Sequence, residues 1–171
     1  MKTSRITLTL LLASLPAITQ ADGRAVRLRA DLIGFEEVPS VSTPAHGRFK
    51  ARIAPDGQSI DYELSYSDLV GTVQQSHIHL GQKSVTGGVS VFFCTNLGNG
   101  PAGTQLCPAA PATITGTIRP ADVIGPVAQS LTAGQFNDLV KAIRNGTTYV
   151  NVHSSSFPGG EIRAQLDHHH N

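Results

Sequence analysis

Alternation of apolar and polar residues, interrupted by turns rich in glycine and proline, restricts the fold of this 171-residue chain more than any other feature. In a β-strand successive side chains point to opposite faces, so alternation predicts strands with one buried and one solvated face. The clearest example is Arg48–Ile53 and Ile60–Tyr66, two alternating segments joined by Pro55-Asp56-Gly57-Gln58. Because Gly57 can adopt positive φ, this region predicts a β-hairpin.

Further strand patterns occur along the rest of the chain, separated by glycine-containing turns. About eight short strands with this spacing predict an all-β fold with one short helix. The expected architecture is an antiparallel β-sandwich or barrel, as in immunoglobulin-like and superoxide-dismutase-like domains. The additional segments are Val26–Leu32, Val73–Leu80, Val89–Cys94, Ala112–Ile118, Thr147–His153 and Glu161–Leu166.

The helix is predicted after residue 132. Thr132 is a suitable N-cap, and Gln135 has the spacing to complete a capping box. Asn145-Gly146 is a typical stop, with glycine at the left-handed position. The helical spacing is carried by the apolar residues Phe136, Leu139, Val140 and Ile143.

The N-terminus has the features of a secretory signal. Lys2 and Arg5 precede an apolar run, and Thr19-Gln20-Ala21 offers small residues for cleavage. We therefore expect residues 1–21 to be removed, leaving one β domain over residues 22–167 and a disordered His-rich tail over residues 168–171. No later segment is long and apolar enough to predict a membrane span, so the protein is expected to be secreted or periplasmic.

Cys94 and Cys107 are the two cysteines of the chain. Export would place them in an oxidising compartment, where a disulfide across the intervening Gly- and Pro-rich loop is expected. Closing a loop of this size contributes roughly 3 kcal/mol in the chain-entropy model. A thiolate ligand pair or a redox couple is the alternative, but the spacing is unlike Cys-x-x-Cys.

Three histidines give the strongest indication of function. His77 and His79 lie two residues apart in Gln75–Gly81, so a strand would place them on one face. His153 occupies the polar face of Tyr149–His153. If the two strands are neighbours, three imidazoles converge in an arrangement that can hold copper or zinc. The alternative is that the histidines are structural and bond to backbone carbonyls or nearby polar side chains.

Several polar residues are expected to surround these histidines and support them. Asn151 shares the polar face of its strand with His153, and Glu161 and Arg163 share a face of the last strand. Glu161 could bind the metal directly, accept a hydrogen bond from an imidazole N–H or pair with Arg163, and we rank the last two above direct binding. Of Glu36 and Glu37, one is expected to point inward toward Arg163.

Other kinds of site have little support in the sequence. No basic patch with interleaved aromatics indicates nucleic-acid binding, and no glycine-rich loop is followed by the Lys and Ser/Thr of a phosphate site. Ser154-Ser155-Ser156 lacks a nucleophile elbow. The initiator is the sole Met, which excludes a methionine-based copper site after signal removal. His168, His169 and His170 are not counted as a site.

Four stretches together resemble the CHRD domain, the module named after the repeats of chordin. They are Leu32–Gly47, which contains Glu36-Glu37-Val38-Pro39; Asp56–Leu64; Ser76–Gly81 with Gly87-Gly88-Val89; and Tyr149–His153 with Pro158–Leu166. Ser40 stands where the family usually has a second proline, and Ala164 where glycine is common. The resemblance implies an all-β extracytoplasmic module.

We therefore expect an exported metal-binding protein with His77, His79 and His153 as ligands, copper first and zinc second. The alternative is an extracellular protein-binding or adhesion module whose histidines are structural and whose partner is a cell-surface or matrix protein. Catalysis is not the favoured expectation.

Overall fold

The computed structural model describes residues 25–166, which form eight antiparallel strands and one α-helix. The predicted signal peptide and His-rich tail lie outside the described residues. The strands are β1 (Val26–Ile33), β2 (His46–Ile53), β3 (Ile60–Ser67), β4 (Val73–Leu80), β5 (Gly88–Thr95), β6 (Ala112–Ile118), β7 (Thr148–Ser154) and β8 (Ile162–Gln165), and the helix is α1 (Phe136–Arg144). Short 3-10 turns occupy Gly34–Glu36, Pro120–Asp122 and Val127–Gln129.

The strands form a single sheet that curls into a nearly closed barrel. Their spatial order is β5-β4-β7-β8-β1-β2-β3-β6, and every pairing is antiparallel. The all-β, one-helix prediction is therefore confirmed. This order has a functional consequence, because it places β4 directly beside β7.

The hairpin predicted from residues 48–66 is confirmed as β2 and β3. Ile53 pairs with Ile60 and Phe49 with Leu64, so the apolar residues of the two strands share one face. Gly57 has φ +67° in the connecting turn, as its sequence context required. The inward residues of these strands are buried, and the Phe49 and Phe93 rings pack with centroids 5.3 Å apart.

Helix α1 buries the predicted apolar stripe of Phe136, Leu139, Val140 and Ile143. Its start differs from the prediction: Gln135 is the N-cap, and no side chain caps the first turn. Gln135 Oε1 instead accepts a hydrogen bond from the Thr132 amide at 2.6 Å, which is one half of the expected capping box. Gly146 follows the helix with φ +65°, in agreement with the predicted stop.

The seam between the edge strands β5 and β6 is bridged by the loop that follows β5. Cys94 at the end of β5 and Cys107 in this loop form the predicted disulfide. Gln105 Nε2 donates to Phe93 O of β5 at 3.1 Å and to Thr115 O of β6 at 3.3 Å. The disulfide thus anchors the loop that carries Gln105, and the Gln105 side chain joins the two edge strands of the sheet. Across the described chain, we find no helix with the length and apolarity needed to traverse a bilayer.

Candidate metal centre

Three histidines from the adjacent strands β4 and β7 meet on one side of the sheet. His77 lies opposite Asn151, His79 opposite Tyr149, and His153 opposite Gln75. One ring nitrogen from each histidine lies within 4.8 Å of the other two. Nitrogens bound to one copper or zinc ion are at most about 4 Å apart, so the longest separation must close by about 1 Å on binding.

Two backbone carbonyls fix the protonation of two of these rings. His79 Nδ1 is 2.9 Å from Gly87 O, and His153 Nδ1 is 2.8 Å from Pro158 O. Because a carbonyl oxygen only accepts, each Nδ1 must carry the proton. The Nε2 atoms of His79 and His153 therefore carry lone pairs, the state in which imidazole binds a metal.

Two imidazole nitrogens of the cluster lack protein partners within the described chain. His77 Nε2 and His79 Nε2 are buried, and no hydrogen-bond partner for either occurs among residues 25–166. His77 Nδ1 lies 3.2 Å from His153 Nε2, so at most one lone pair of the cluster is satisfied within it. Buried polar atoms are usually satisfied, and a set of unsatisfied imidazole nitrogens fits a bound cation. The residues present therefore fit a bound metal ion.

Burial keeps all three rings neutral. It lowers the pKa of His77 to about 2 and that of His79 to about 4, and the neighbouring imidazoles act in the same direction. The pKa of His153 is also lowered by burial, against the effect of its bond to Pro158. A metal ion competes with protons for the imidazole lone pairs. Because these rings are already neutral at neutral pH, they need not lose a proton before they bind a metal ion.

Aromatic and cationic groups cover the outer side of His79. The Tyr149 ring stacks on the imidazole with centroids 4.7 Å apart and planes 2° apart. The Arg163 Cζ atom also lies over the Tyr149 ring, 3.4 Å from its centroid. The Gly87 amide donates to Tyr149 Oη at 3.1 Å, and the same residue's carbonyl holds His79. Tyr149 thus contacts His79 directly and through Gly87.

The polar residues expected around the histidines occupy three different positions. Asn151 Oδ1 is 3.0 Å from His153 Nε2, in direct contact with the cluster. Arg163 reaches the cluster only through Tyr149. Glu161 is fully buried, but its Oε1 accepts hydrogen bonds from Thr43 Oγ1 at 2.7 Å and the Val70 amide at 2.8 Å. The hydrogen bonds of Glu161 Oε1 therefore hold Thr43 and Val70, and they include none of the histidines.

Glu37 is the residue of the acidic pair that points inward. It is 7% exposed, whereas Glu36 pairs with Lys83 at 3.3 Å. Burial raises the pKa of Glu37 to about 7, while the Arg163 charge and the amides of Val38 and Asn151 oppose the shift. Among the described residues, no ion pair within 4 Å joins Glu37 to Arg163, so the expected contact is longer than a salt bridge.

The remaining described histidine, His46, stands outside the cluster. Its Nε2 is 2.9 Å from Ser67 Oγ and its Nδ1 is 3.4 Å from Asp68 Oδ2. Both the His46 and Asp68 side chains are 63% exposed. Water competes for these contacts, so the arrangement lacks the burial that would activate the serine as a nucleophile.

Substrate-sized cavities lie elsewhere on the protein. Five surface cavities with volumes from about 300 to about 790 Å³ are lined by residues that include none of His77, His79 and His153. The largest runs along the outer face of β1 and β2, beside His46. These five cavities therefore do not open onto the three histidines.

Sequence reasoning missed the groups that fix the cluster. No sequence pattern predicts that the carbonyls of Gly87 and Pro158 bond to the histidines, because any residue type can supply a backbone acceptor. Tyr149 was placed on the polar face without a role, although its position opposite His79 follows from the register. Glu37 was not missed, because one residue of the pair Glu36 and Glu37 was predicted to point inward, and Glu37 is the buried one.

Comparison with known proteins gives one family. The CHRD domain matches residues 28–166, nearly the whole described chain. No curated protein matches the chain significantly, and no solved structure does either. The match spans both histidine strands and the buried glutamates, and the chain therefore belongs to the CHRD domain family.

Proposed function

We propose that this protein binds one transition-metal ion, copper first and zinc second, through His77, His79 and His153 in a secreted or periplasmic setting. The observation that carries the proposal is the pair of buried, unpartnered nitrogens, His77 Nε2 and His79 Nε2, within the described chain. A structural histidine in a sheet satisfies both of its nitrogens, whereas these rings each leave one unsatisfied.

The ligand types favour copper and zinc over other ions. Neutral imidazole binds both, and for a given nitrogen site copper(II) binds more tightly than zinc. Cys94 and Cys107 are joined to each other, so they supply no thiolate to the cluster. Hard cations such as calcium prefer several oxygen ligands, and this site offers mostly nitrogen.

Binding is better supported than catalysis. His77 is 2% exposed, and its ring packs edge-on against Phe92 with centroids 4.3 Å apart. A catalytic ion needs a coordination position that substrate can reach. The burial of the cluster favours metal storage, delivery or sensing. The disulfide and the extracellular-type CHRD module support export.

Metal analysis of the purified full chain tests the proposal. His168, His169 and His170 are first replaced by alanine, because a histidine run binds metal without a folded site. This background protein should bind one equivalent of copper(II) or zinc(II), measured by titration against a chelator and by elemental analysis. The His77→Ala/His79→Ala variant should lose that equivalent.

The matched control is His46→Ala, which removes an exposed imidazole outside the cluster. It should bind one equivalent with unchanged affinity. A background protein that binds no metal, or a His77→Ala/His79→Ala variant that binds as well as the His46→Ala control, would overturn the proposal. The former result would leave the histidines with a structural role in a protein-binding module.

A further inference from the structure

We propose that Asn151 supplies the fourth ligand of the metal site through its side-chain oxygen, and that Glu37 orients the Asn151 amide for this purpose. The inference rests on the proposed function, since it concerns the same ion. It assigns roles to two residues that three-histidine binding alone leaves unexplained. The resulting donor set is three imidazole nitrogens and one amide oxygen.

Asn151 contacts His153 inside the cluster. Asn151 Oδ1 lies 3.0 Å from His153 Nε2, and Asn151 is 2% exposed. His153 Nδ1 donates to Pro158 O, so in the neutral ring Nε2 carries a lone pair and no hydrogen. The contact therefore brings together two lone-pair-bearing atoms, which repel unless a cation lies between them.

The spacing of these atoms suits a shared ion. Two ligand atoms about 2.0–2.2 Å from one ion are about 3.0 Å apart at a right angle and about 3.5 Å apart at a tetrahedral angle. The Asn151 Oδ1–His153 Nε2 distance is 3.0 Å, which matches the spacing of two ligand atoms at a right angle.

The Asn151 amide group lies beside Gly160 and Glu37. A Cβ atom on Gly160 would lie 2.4 Å from Glu37 Oε1 and 2.9 Å from Asn151 Nδ2, so only glycine leaves room for these two groups. The Asn151 NH₂ group is thus on the Glu37 side. Glu37 Oε1 is buried with no hydrogen-bond partner in the described part of the chain. A carboxyl oxygen at this place attracts the NH₂ group and turns Oδ1 toward His153.

This arrangement explains the burial of Glu37. Burying a carboxyl group is costly unless it is paired, and Glu37 is 7% exposed. Beside a divalent cation, its negative charge offsets part of the ion's charge through Asn151. The fourth ligand also closes the coordination shell, as in zinc sites that bind without catalysing a reaction.

The experiment compares three variants in the background without the tail histidines. Asn151→Ala removes the oxygen, and we expect one equivalent of zinc or copper(II) to bind with affinity reduced about 10- to 100-fold. The exchange Asn151→Asp/Glu37→Gln keeps an oxygen at position 151 and lets the amide of residue 37 donate to it. This double variant should bind at least as tightly as the background protein.

The matched control is Asn96→Ala, because Asn96 is also a structural amide and donates to Val73 O and Cys107 O away from the cluster. It should lower the free energy of unfolding without changing zinc affinity. A direct measurement is the side-chain carbonyl ¹³C resonance of Asn151, which should move downfield when zinc binds.

The outcomes separate this inference from the proposed function. Unchanged zinc affinity in Asn151→Ala, together with an unmoved carbonyl resonance in the background protein, would overturn Asn151 as a ligand while leaving the three-histidine site intact. A background protein that binds neither zinc nor copper would overturn both. Weaker binding in Asn151→Ala, restored by the exchange variant, would support the oxygen ligand.

Discussion

The Tyr149 ring lies flat against the His79 imidazole, with centroids 4.7 Å and planes 2° apart. The pair faces each other across β4 and β7, so the stack is a cross-strand pair fixed by the register. Gly87 holds both residues, because its carbonyl accepts from His79 and its amide donates to Tyr149. Two independent restraints therefore set the plane of one proposed metal ligand.

Two substitutions of Tyr149 separate the effect of its stack on His79 from the effect of its hydrogen bond with Gly87. Tyr149→Phe keeps the stack and loses the bond from Gly87, and we expect a cost of about 1 kcal/mol in unfolding free energy with little change in metal affinity. Tyr149→Leu loses both, and we expect metal affinity to fall about tenfold. Chelator titration and urea unfolding measure the two quantities.

The control for this series is Tyr66→Phe, which removes a hydroxyl that donates to Pro108 O at 2.6 Å away from the cluster. It should lower stability and leave metal affinity unchanged. Equal metal affinities for Tyr149→Leu and Tyr66→Phe would show that the stack does not position His79.

The fold and the three histidines could be predicted from the sequence, whereas most of the residues that surround the histidines could not. Alternation predicted β2 and β3 because each strand has one buried and one wet face. It also put His77 and His79 on one face, but it did not show that β4 and β7 are neighbours. That adjacency comes from the sheet order, in which strands far apart in sequence pair.

The supporting residues were harder to predict because their roles depend on long-range contacts. The sequence predicts that Glu161 supports a histidine, whereas its Oε1 accepts hydrogen bonds from Thr43 and Val70, more than 90 residues away in sequence. Glu37 is buried beside Gly160, where a side chain would collide with the Glu37 carboxyl group and the Asn151 amide. Neither relationship leaves a local pattern of residue types.

The neutral histidines should make the metal-free protein sensitive to acid. Burial lowers the pKa of His79 from its ordinary value near 6.5 to about 4, so the unfolded chain binds the proton first. The contribution of neutral His79 to the free energy of unfolding is present in full above pH 6.5 and is lost as pH falls toward 4. Between pH 6.5 and 5 this costs about 2 kcal/mol per such histidine.

Urea unfolding at pH 7, 6 and 5 measures this effect. His79→Gln should reduce the loss of unfolding free energy between pH 7 and pH 5 by about 2 kcal/mol. Gln58→Ala, in the exposed β2–β3 turn, is the control and should leave the loss unchanged. Parallel pH dependences for the wild type and His79→Gln would contradict a neutral, buried His79.

Glu37 should act in the opposite direction. Burial raises its pKa from 4.5 to about 7, so the folded protein holds the proton more tightly than the unfolded chain. The contribution of Glu37 to the free energy of unfolding is present in full below pH 4.5 and is lost as pH rises through 7. The total loss is at most about 3 kcal/mol. Between pH 5 and 7 it therefore opposes the histidine effect.

Glu37→Gln removes this titration. In the metal-free protein its unfolding free energy should rise more steeply from pH 5 to 7 than that of the wild type, by about 1 kcal/mol per pH unit. Glu63→Gln is the control, because Glu63 pairs with Lys50 on the surface. A Glu37→Gln profile that coincides with the wild-type profile would show that Glu37 ionises normally.

The barrel seam gives a last prediction that is independent of metal. Gln105 joins Phe93 O of β5 to Thr115 O of β6, and the Cys94–Cys107 disulfide holds its loop in place. We expect Gln105→Ala to cost about 1–2 kcal/mol, since two edge carbonyls lose their donor. The control Gln58→Ala, in the exposed β2–β3 turn, should cost less than about 0.5 kcal/mol.

Removing the disulfide tests whether it acts through Gln105. Cys94→Ala/Cys107→Ala should cost roughly 3 kcal/mol through loop entropy. If the disulfide also presents Gln105 to the seam, Gln105→Ala should cost less in the variant without the disulfide than in the wild type. A double-mutant cycle by urea unfolding measures the difference, and strictly additive costs would show that the loop holds Gln105 in place without its disulfide.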